Sequence, residues 1–190
     1  SRRRHTRCSR DWSSVVCSSD LDAWSKTHPE SRVEDFLSWV NATDPTQMEW
    51  FTLMRRSESA QGASPQAPRA IVFGPESKFI FTFNGNQNQK GFEEVEMIFY
   101  KEGQTPQWEM RKLSFYPEQK RAVFSKANPE SCLSCHQNPV RPIWHSYDTW
   151  PGAYGENDDA IPDFDNDKYA RPGYGSSTLK ERKQEFSDFS

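Results

Sequence analysis

The chain has 190 residues with 24 basic and 27 acidic side chains, a formal charge of −3, 34% hydrophobic and 14% aromatic residues, and four cysteines. No stretch approaches the ~18 consecutive apolar residues of a membrane span, and a mildly acidic balance gives no electrostatic footprint for nucleic acid. The low apolar share beside a high aromatic one predicts a small core built on large rings.

The first 21 residues carry no apolar periodicity, and Asp11 to Leu21 resembles a translated sequencing-library adapter, departing from it at Val15. We therefore set residues 1–21 aside as an artefactual, disordered segment and not as a basic arm. Five of the 24 basic and two of the 27 acidic side chains lie there, leaving 19 against 25 and a charge of −6. Cys8 and Cys17 leave the count with them, so no disulfide framework is expected. The native N-terminus is expected to be missing, and the last residues, Phe186 to Ser190, suggest truncation at that end too.

Beyond residue 21 the first expected element is a helix. Val33, Phe36, Leu37 and Val40 recur at i, i+3, i+4 and i+7, and Asn41 with Asp44-Pro45 ends the pattern. His28 reads as a polar residue near the helix start. Met48 to Arg56 is ambiguous between helix and strand, and Ser57 to Pro68 reads as a surface loop.

From Ala70 the period changes to two. Ala70 to Phe73 and Lys78 to Phe83 flank Gly74-Pro75-Glu76-Ser77 as a hairpin. Val95 to Tyr100 and Trp108 to Tyr116 form a second hairpin, with Ala122 to Phe124 as a further strand. The expected fold class is α+β: an antiparallel meander of four to six strands with an N-terminal helix and a loop-rich attachment segment. Within it Val95, Met97 and Phe99 share one face, and Trp108, Met110 and Lys112 oppose Arg111, Leu113 and Phe115. The expected division is 1–21 artefactual, 22–160 a β-rich domain, and 161–190 an acidic loop with a truncated helix.

Asn128-Pro129-Glu130-Ser131 interrupts the extended pattern just before Cys132-Leu133-Ser134-Cys135-His136. This C-x-x-C-H reads as a covalent haem attachment site. Each thiol can add to one vinyl group of a haem, and the adjoining imidazole is placed as the proximal iron ligand. Two other chemistries stay open. Structural zinc needs four ligands, and His145 is the only plausible further donor nearby. A redox dithiol belongs in an alternating β-α chain, which the preceding strands do not form.

After the motif, Arg141-Pro142-Ile143-Trp144-His145-Ser146-Tyr147-Asp148-Thr149-Trp150 combines rings, a guanidinium and an imidazole. It reads as a loop over the macrocycle, with Arg141 within reach of a propionate and Trp144, Tyr147 and Trp150 either excluding water or filling a thin core. All four methionines precede the motif, so a downstream axial Met is absent from this sequence. His145 lies nine residues beyond His136, a span that can reach ~30 Å. Among side chains it is the first candidate for the sixth ligand, ahead of Met97 or Met110 from the sheet, while a water-ligated, open or truncated site is the reading that outweighs either. Asp163, Asp165 and Asp167 alternate as calcium ligands would, but Lys168 and Tyr174 stand where that loop needs Gly and Glu, so a solvated acidic loop is expected.

The run NPESCLSCHQNPVRPIWHSYDTWPGAYGENDD resembles a segment of exported bacterial C-x-x-C-H proteins of the deltaproteobacterial type, in which N-P-x-x-C-x-x-C-H leads into R-P-x-W-x-x-Y-x-x-W-P-G-x-Y-G. The likeness covers most of Gln47 to Asp159. It implies a periplasmic c-type haem protein and supplies no reaction; at His145 such proteins are expected to carry Asp or Asn. The expected function is electron transfer through one covalent haem to a redox partner protein. A haem-based sensor is the alternative, and a peroxidase-like enzyme using His145 or Arg141 as acid-base group comes last.

Overall fold

A computed structural model describes residues 16–57, 59–101, 107–137, 139–143 and 152–153. The chain divides into two compact units, residues 1–143 and 144–190. Every element below belongs to the first. Among the described residues no helix is long and apolar enough to cross a membrane.

Two helices precede the sheet, α1 (Ser18–Thr27) and α2 (Val33–Thr43). The stripe foreseen for α2 is the buried one: Val33, Phe36 and Val40 point inward. At its start the Arg32 N–H donates to the Asp35 carboxylate at 2.9 Å, satisfying one of the amides a helix N-terminus leaves open. At its end the Asp44 N–H closes on the Val40 carbonyl. The Asp44 side chain then caps a 3-10 turn, Pro45–Glu49.

Helix α1 corrects the reading of the segment as disordered for residues 16–21: Ser18 begins a helix, and Val16 and Leu21 lie in the core with 2% and 0% exposure. The physical reason is spacing that an isolated search for periodicity missed. Leu21 and Trp24 lie three apart and share a helix face, and Trp24 packs edge-on to Phe36 and Phe115. Cys17 is disulfide-bonded, which the sequence reading did not expect. His28 stands at the C-terminal end of α1 and not at the start of α2; its ring stacks on Trp24.

The sheet is an antiparallel meander of six strands in the order β1-β2-β3-β4-β5-β6. They are β1 (Phe51–Met54), β2 (Arg69–Val72), β3 (Phe79–Asn84), β4 (Glu94–Lys101), β5 (Gln107–Tyr116) and β6 (Arg121–Phe124). The ambiguous Met48 to Arg56 stretch resolves as the end of the 3-10 turn followed by edge strand β1. Register fixes the faces. Val95 stands opposite Leu113 and Met97 opposite Arg111, whereas Glu96 stands opposite Lys112 and Ile98 opposite Met110.

The first of these faces packs against the helices: Phe79, Phe81, Val95, Met97, Phe99 and Leu113 cluster with Leu21, Trp24 and Phe36. The second face carries Ile71, Ile80, Ile98 and Met110, all buried, beside charged Glu94, Glu96 and Lys112. Glu94 pairs with Lys112 at 2.6 Å.

A buried polar network fixes the loop between β1 and β2 to this second face. Gln61 is 1% exposed; its Nε2 donates to the carbonyls of Thr82 and Glu94. Its Oε1 accepts from Arg69 Nε at 3.0 Å and Thr82 Oγ1 at 2.7 Å. Arg69 also faces Glu96 at 3.5 Å. Gly91 is needed beside it: its φ is +78°, and a Cβ there would meet Gln61 Cγ at 2.8 Å.

Candidate functional site

After β6 the chain does not leave the sheet at once. Ser125 and Lys112 exchange two bonds, Ser125 N–H to the Lys112 carbonyl at 2.8 Å and Lys112 N–H to Ser125 Oγ at 2.9 Å. Three residues on, the Asn128 N–H donates to the Met110 carbonyl and the Met110 N–H to Asn128 Oδ1, both at 2.8 Å. Asn128 thus ties the approach to the motif onto β5. Its φ is +54°, a conformation in which Asn is several-fold enriched. The turn it makes sends the chain into Pro129 and the helix that follows.

The motif therefore occupies a short helix, α3 (Glu130–His136), where irregular chain was expected. Pro129 starts it without needing an N–H, and its carbonyl accepts from Cys132 and Leu133. Gln137, with φ +65°, ends it, its N–H returning to the Leu133 carbonyl at 2.9 Å.

Helical spacing places the motif's chemistry on one arc. At about 100° per residue, Cys132 and His136 stand about 40° apart and Cys132 and Cys135 about 60° apart on the other side. All three therefore fall within about 100° of helix surface. Burial follows the same geometry: Cys132, Leu133 and His136 are half-buried, while Ser131, Ser134 and Cys135 are exposed. Both thiols of the motif are free.

The imidazole is held through a backbone group. His136 Nδ1 lies 2.9 Å from the carbonyl oxygen of Arg141. A carbonyl can only accept, so Nδ1 carries the hydrogen and Nε2 carries the lone pair that a metal would take. The Arg141 N–H returns a bond to the His136 carbonyl at 3.3 Å, closing a small loop over the helix end. Arg141 is exposed, so its backbone serves the histidine while its guanidinium faces solvent.

The nearest charges to Cys132 come from the second face of the sheet. Burial pushes the Cys132 thiol up, the Glu96 carboxylate adds to the rise, and Ser131 and Lys112 partly offset it. Glu96 and Lys112 stand opposite each other in the β4–β5 register. Met97, a candidate sixth ligand from sequence, belongs to the helix-packed face and is 3% exposed. Met110 lies on the motif's side, directly bonded to Asn128.

Trp144 and His145, named from sequence as cofactor-binding and ligating residues, lie outside the described residues, as do Tyr147, Trp150 and the acidic run from Asp163 to Asp167. Among the described residues no group of three or more His, Cys, Asp or Glu side chains converges to hold a metal ion. Cys132, Cys135 and His136 are thus not gathered as zinc ligands would be. Sequence reasoning missed the Arg141 carbonyl, the Asn128 tether, and Glu96 with Lys112. Only Asn128 left a signal, an Asn-Pro pair of the kind that starts turns.

No family model, no curated protein and no solved structure matches the chain.

Proposed function

We propose that the chain is an exported c-type haem protein that transfers electrons through a single haem held by Cys132, Cys135 and His136. The observation that carries this reading is the orientation of His136. Its Nδ1–H is engaged by the Arg141 carbonyl at 2.9 Å, and backbone anchoring of the non-ligating nitrogen is how a metal-binding imidazole is fixed in tautomer and direction. The three groups share one arc of a two-turn helix, and both thiols are free to form thioethers. A bound haem would supply one-electron redox chemistry.

The residues fit that group better than they fit a redox dithiol. Dithiol catalysts depress the pKa of their attacking cysteine, whereas burial and Glu96 raise that of Cys132. With haem bound, the exposed Arg141 guanidinium would be the group offered to a propionate. Trp144 as a ring contact and His145 as sixth ligand, with Met110 as its competitor, are proposals from the sequence alone. A periplasmic location and a redox partner protein follow from the resemblance of the flanking sequence to exported C-x-x-C-H proteins.

The test is co-expression with a cytochrome c maturation system. A red product is expected, with a Soret band, haem that survives acid-acetone extraction, and loss of that retention in Cys132→Ala/Cys135→Ala. A colourless, fully matured protein refutes the proposal. A low-spin spectrum unaffected by carbon monoxide supports electron transfer, whereas rapid carbon monoxide binding assigns the protein to ligand sensing. His145→Ala and Met110→Ala then identify the sixth ligand by loss of the low-spin spectrum.

A further inference from the structure

One residue after the imidazole the backbone takes a shape that side chains disfavour. Gln137 has φ +65° and ψ −178°, a region occupied almost only by glycine, because a Cβ there crowds the neighbouring peptide. Its side chain is exposed, so the constraint acts through the main chain. Three bonds supply it: the Gln137 N–H donates to the Leu133 carbonyl at 2.9 Å, the Arg141 N–H to the His136 carbonyl at 3.3 Å, and the His136 Nδ1–H to the Arg141 carbonyl at 2.9 Å. Two of the three join His136 to Arg141, which requires the chain to turn back between them. Among the described residues of that interval, Gln137 is the one with positive φ. Had the helix continued, Arg141 would stand about 7.5 Å further along the axis, with its carbonyl pointing away from His136.

We propose that Gln137 is a positioning residue for the iron-binding imidazole: its main chain, held in the glycine region, brings the Arg141 carbonyl onto His136 Nδ1. This rests on the haem reading for the identity of the metal group, but not for the coupling between position 137 and the ring. The bonds that the reversal permits offset its conformational cost, and strain of this kind persists only where the surroundings over-determine it. A hydrogen bond given by Nδ1 leaves Nε2 as the ligating atom and raises the basicity of the ring. A firm clamp therefore favours the more highly charged iron and lowers the reduction potential. Residue 137 acts through its Cβ and not its amide. Glycine fits the conformation without strain, alanine carries the same Cβ as glutamine, and a β-branched side chain is the least compatible with positive φ.

The coupling is measured on the haem-free full chain by long-range proton–nitrogen NMR correlation of its histidine rings at alkaline pH, with His136→Gln assigning the signals. In the wild type the His136 hydrogen is expected on Nδ1. Gln137→Ala should keep that tautomer, Gln137→Gly should keep it and raise the unfolding midpoint, and Gln137→Val should shift the hydrogen towards Nε2. Loss of the Nδ1–H tautomer in the glycine or alanine variant, a lower midpoint for glycine, or an unchanged tautomer in the valine variant would overturn the proposal. Should the valine variant fail to fold, the glycine variant decides by the same two readings. With haem loaded by the maturation system, the potential should stay unchanged in the alanine and glycine variants and rise in the valine variant; equal potentials in all of them remove Gln137 from any role towards iron. If the wild-type chain takes no haem while the tautomer follows residue 137 as stated, the haem reading falls and the coupling stands. If it takes haem and the tautomer ignores residue 137, the coupling falls and the haem reading stands.

Discussion

Leu21→Ala asks whether a segment that looks foreign in sequence belongs to the fold. Leu21 is fully buried on the inner face of α1, in one cluster with Val16, Trp24, Phe36 and Phe115. Truncation to Ala keeps helix propensity but removes three buried carbons and leaves a cavity. Such changes cost about 2–5 kcal/mol, against a total stability of about 5–15 kcal/mol for a domain. A shift of ~2–4 °C per kcal/mol is typical at this size, so the midpoint should fall by about 5–15 °C. A thermal scan measures that shift and urea unfolding the free-energy loss, both followed by tryptophan fluorescence, since Trp24 is 6% exposed in the native state and packs beside the altered site. The expected result is a lower midpoint with an unchanged slope. A change within about 0.5 kcal/mol, the range of an ordinary surface substitution, would refute the packing of α1 and return residues 16–21 to the status the sequence suggested.

Three further outcomes follow from particular contacts. Gln61→Ala leaves the Arg69 and Thr82 donors and two strand carbonyls without the partner they now share; a loss of about 2–4 kcal/mol is expected, read by chemical denaturation. For Glu109, burial opposes ionisation, but bonds and charge from Lys101 and Arg111 outweigh it and hold its carboxyl below the usual 4.5. A depressed folded-state pKa means stability that is present above that range and lost as pH falls through the folded value, so Glu109→Gln should flatten the acid limb of the stability profile below about pH 4.5. Arg141→Ala keeps the carbonyl that orients His136 while removing a positive charge. If the guanidinium pairs with a propionate, a unit charge ~10 Å from iron at an effective dielectric of about 20–80 is worth about 0.4–1.7 kcal/mol, and the reduction potential should fall by roughly 20–70 mV. An unchanged potential removes Arg141 from the haem's surroundings.

What the sequence disclosed and what it hid divide along physical lines. The sheet was legible because period-two alternation in Val95, Met97 and Phe99 and turn residues such as Gly74-Pro75 are local signals, and the register bears out the shared face. Helix α2 was legible for the same reason. Helix α1 was not, because only Leu21 and Trp24 mark its inner face and the segment's likeness to an adapter outweighed so sparse a pattern. The five residues of the motif were readable, but their helical conformation was not, since proline on both sides argued for irregular chain. The groups that condition the site were invisible for a more basic reason. The Arg141 carbonyl is backbone, which every residue carries, and Glu96 lies 36 positions before Cys132, so only strand pairing and the Asn128 tether bring it near.

These placements also separate what stabilises the molecule from what sets its chemistry. The core is formed on the helix-packed face of the sheet, with Phe79, Phe81 and Leu113 at its centre, whereas the approach to the motif is tied to the main chain of β5 through the bonds between Asn128 and Met110. The imidazole is oriented by a contact five residues away in sequence, local enough to survive changes in the core. A substitution such as Leu21→Ala should therefore lower the unfolding midpoint without moving the reduction potential, while Asn128→Ala, which removes the Oδ1 bond to the Met110 N–H and keeps the backbone bond beside it, should loosen the approach to α3 at a smaller cost in stability. The sheet in this arrangement is a platform that fixes where the helix sits and which thiol faces inward, and the ligand chemistry is left to the helix and the loop that closes it.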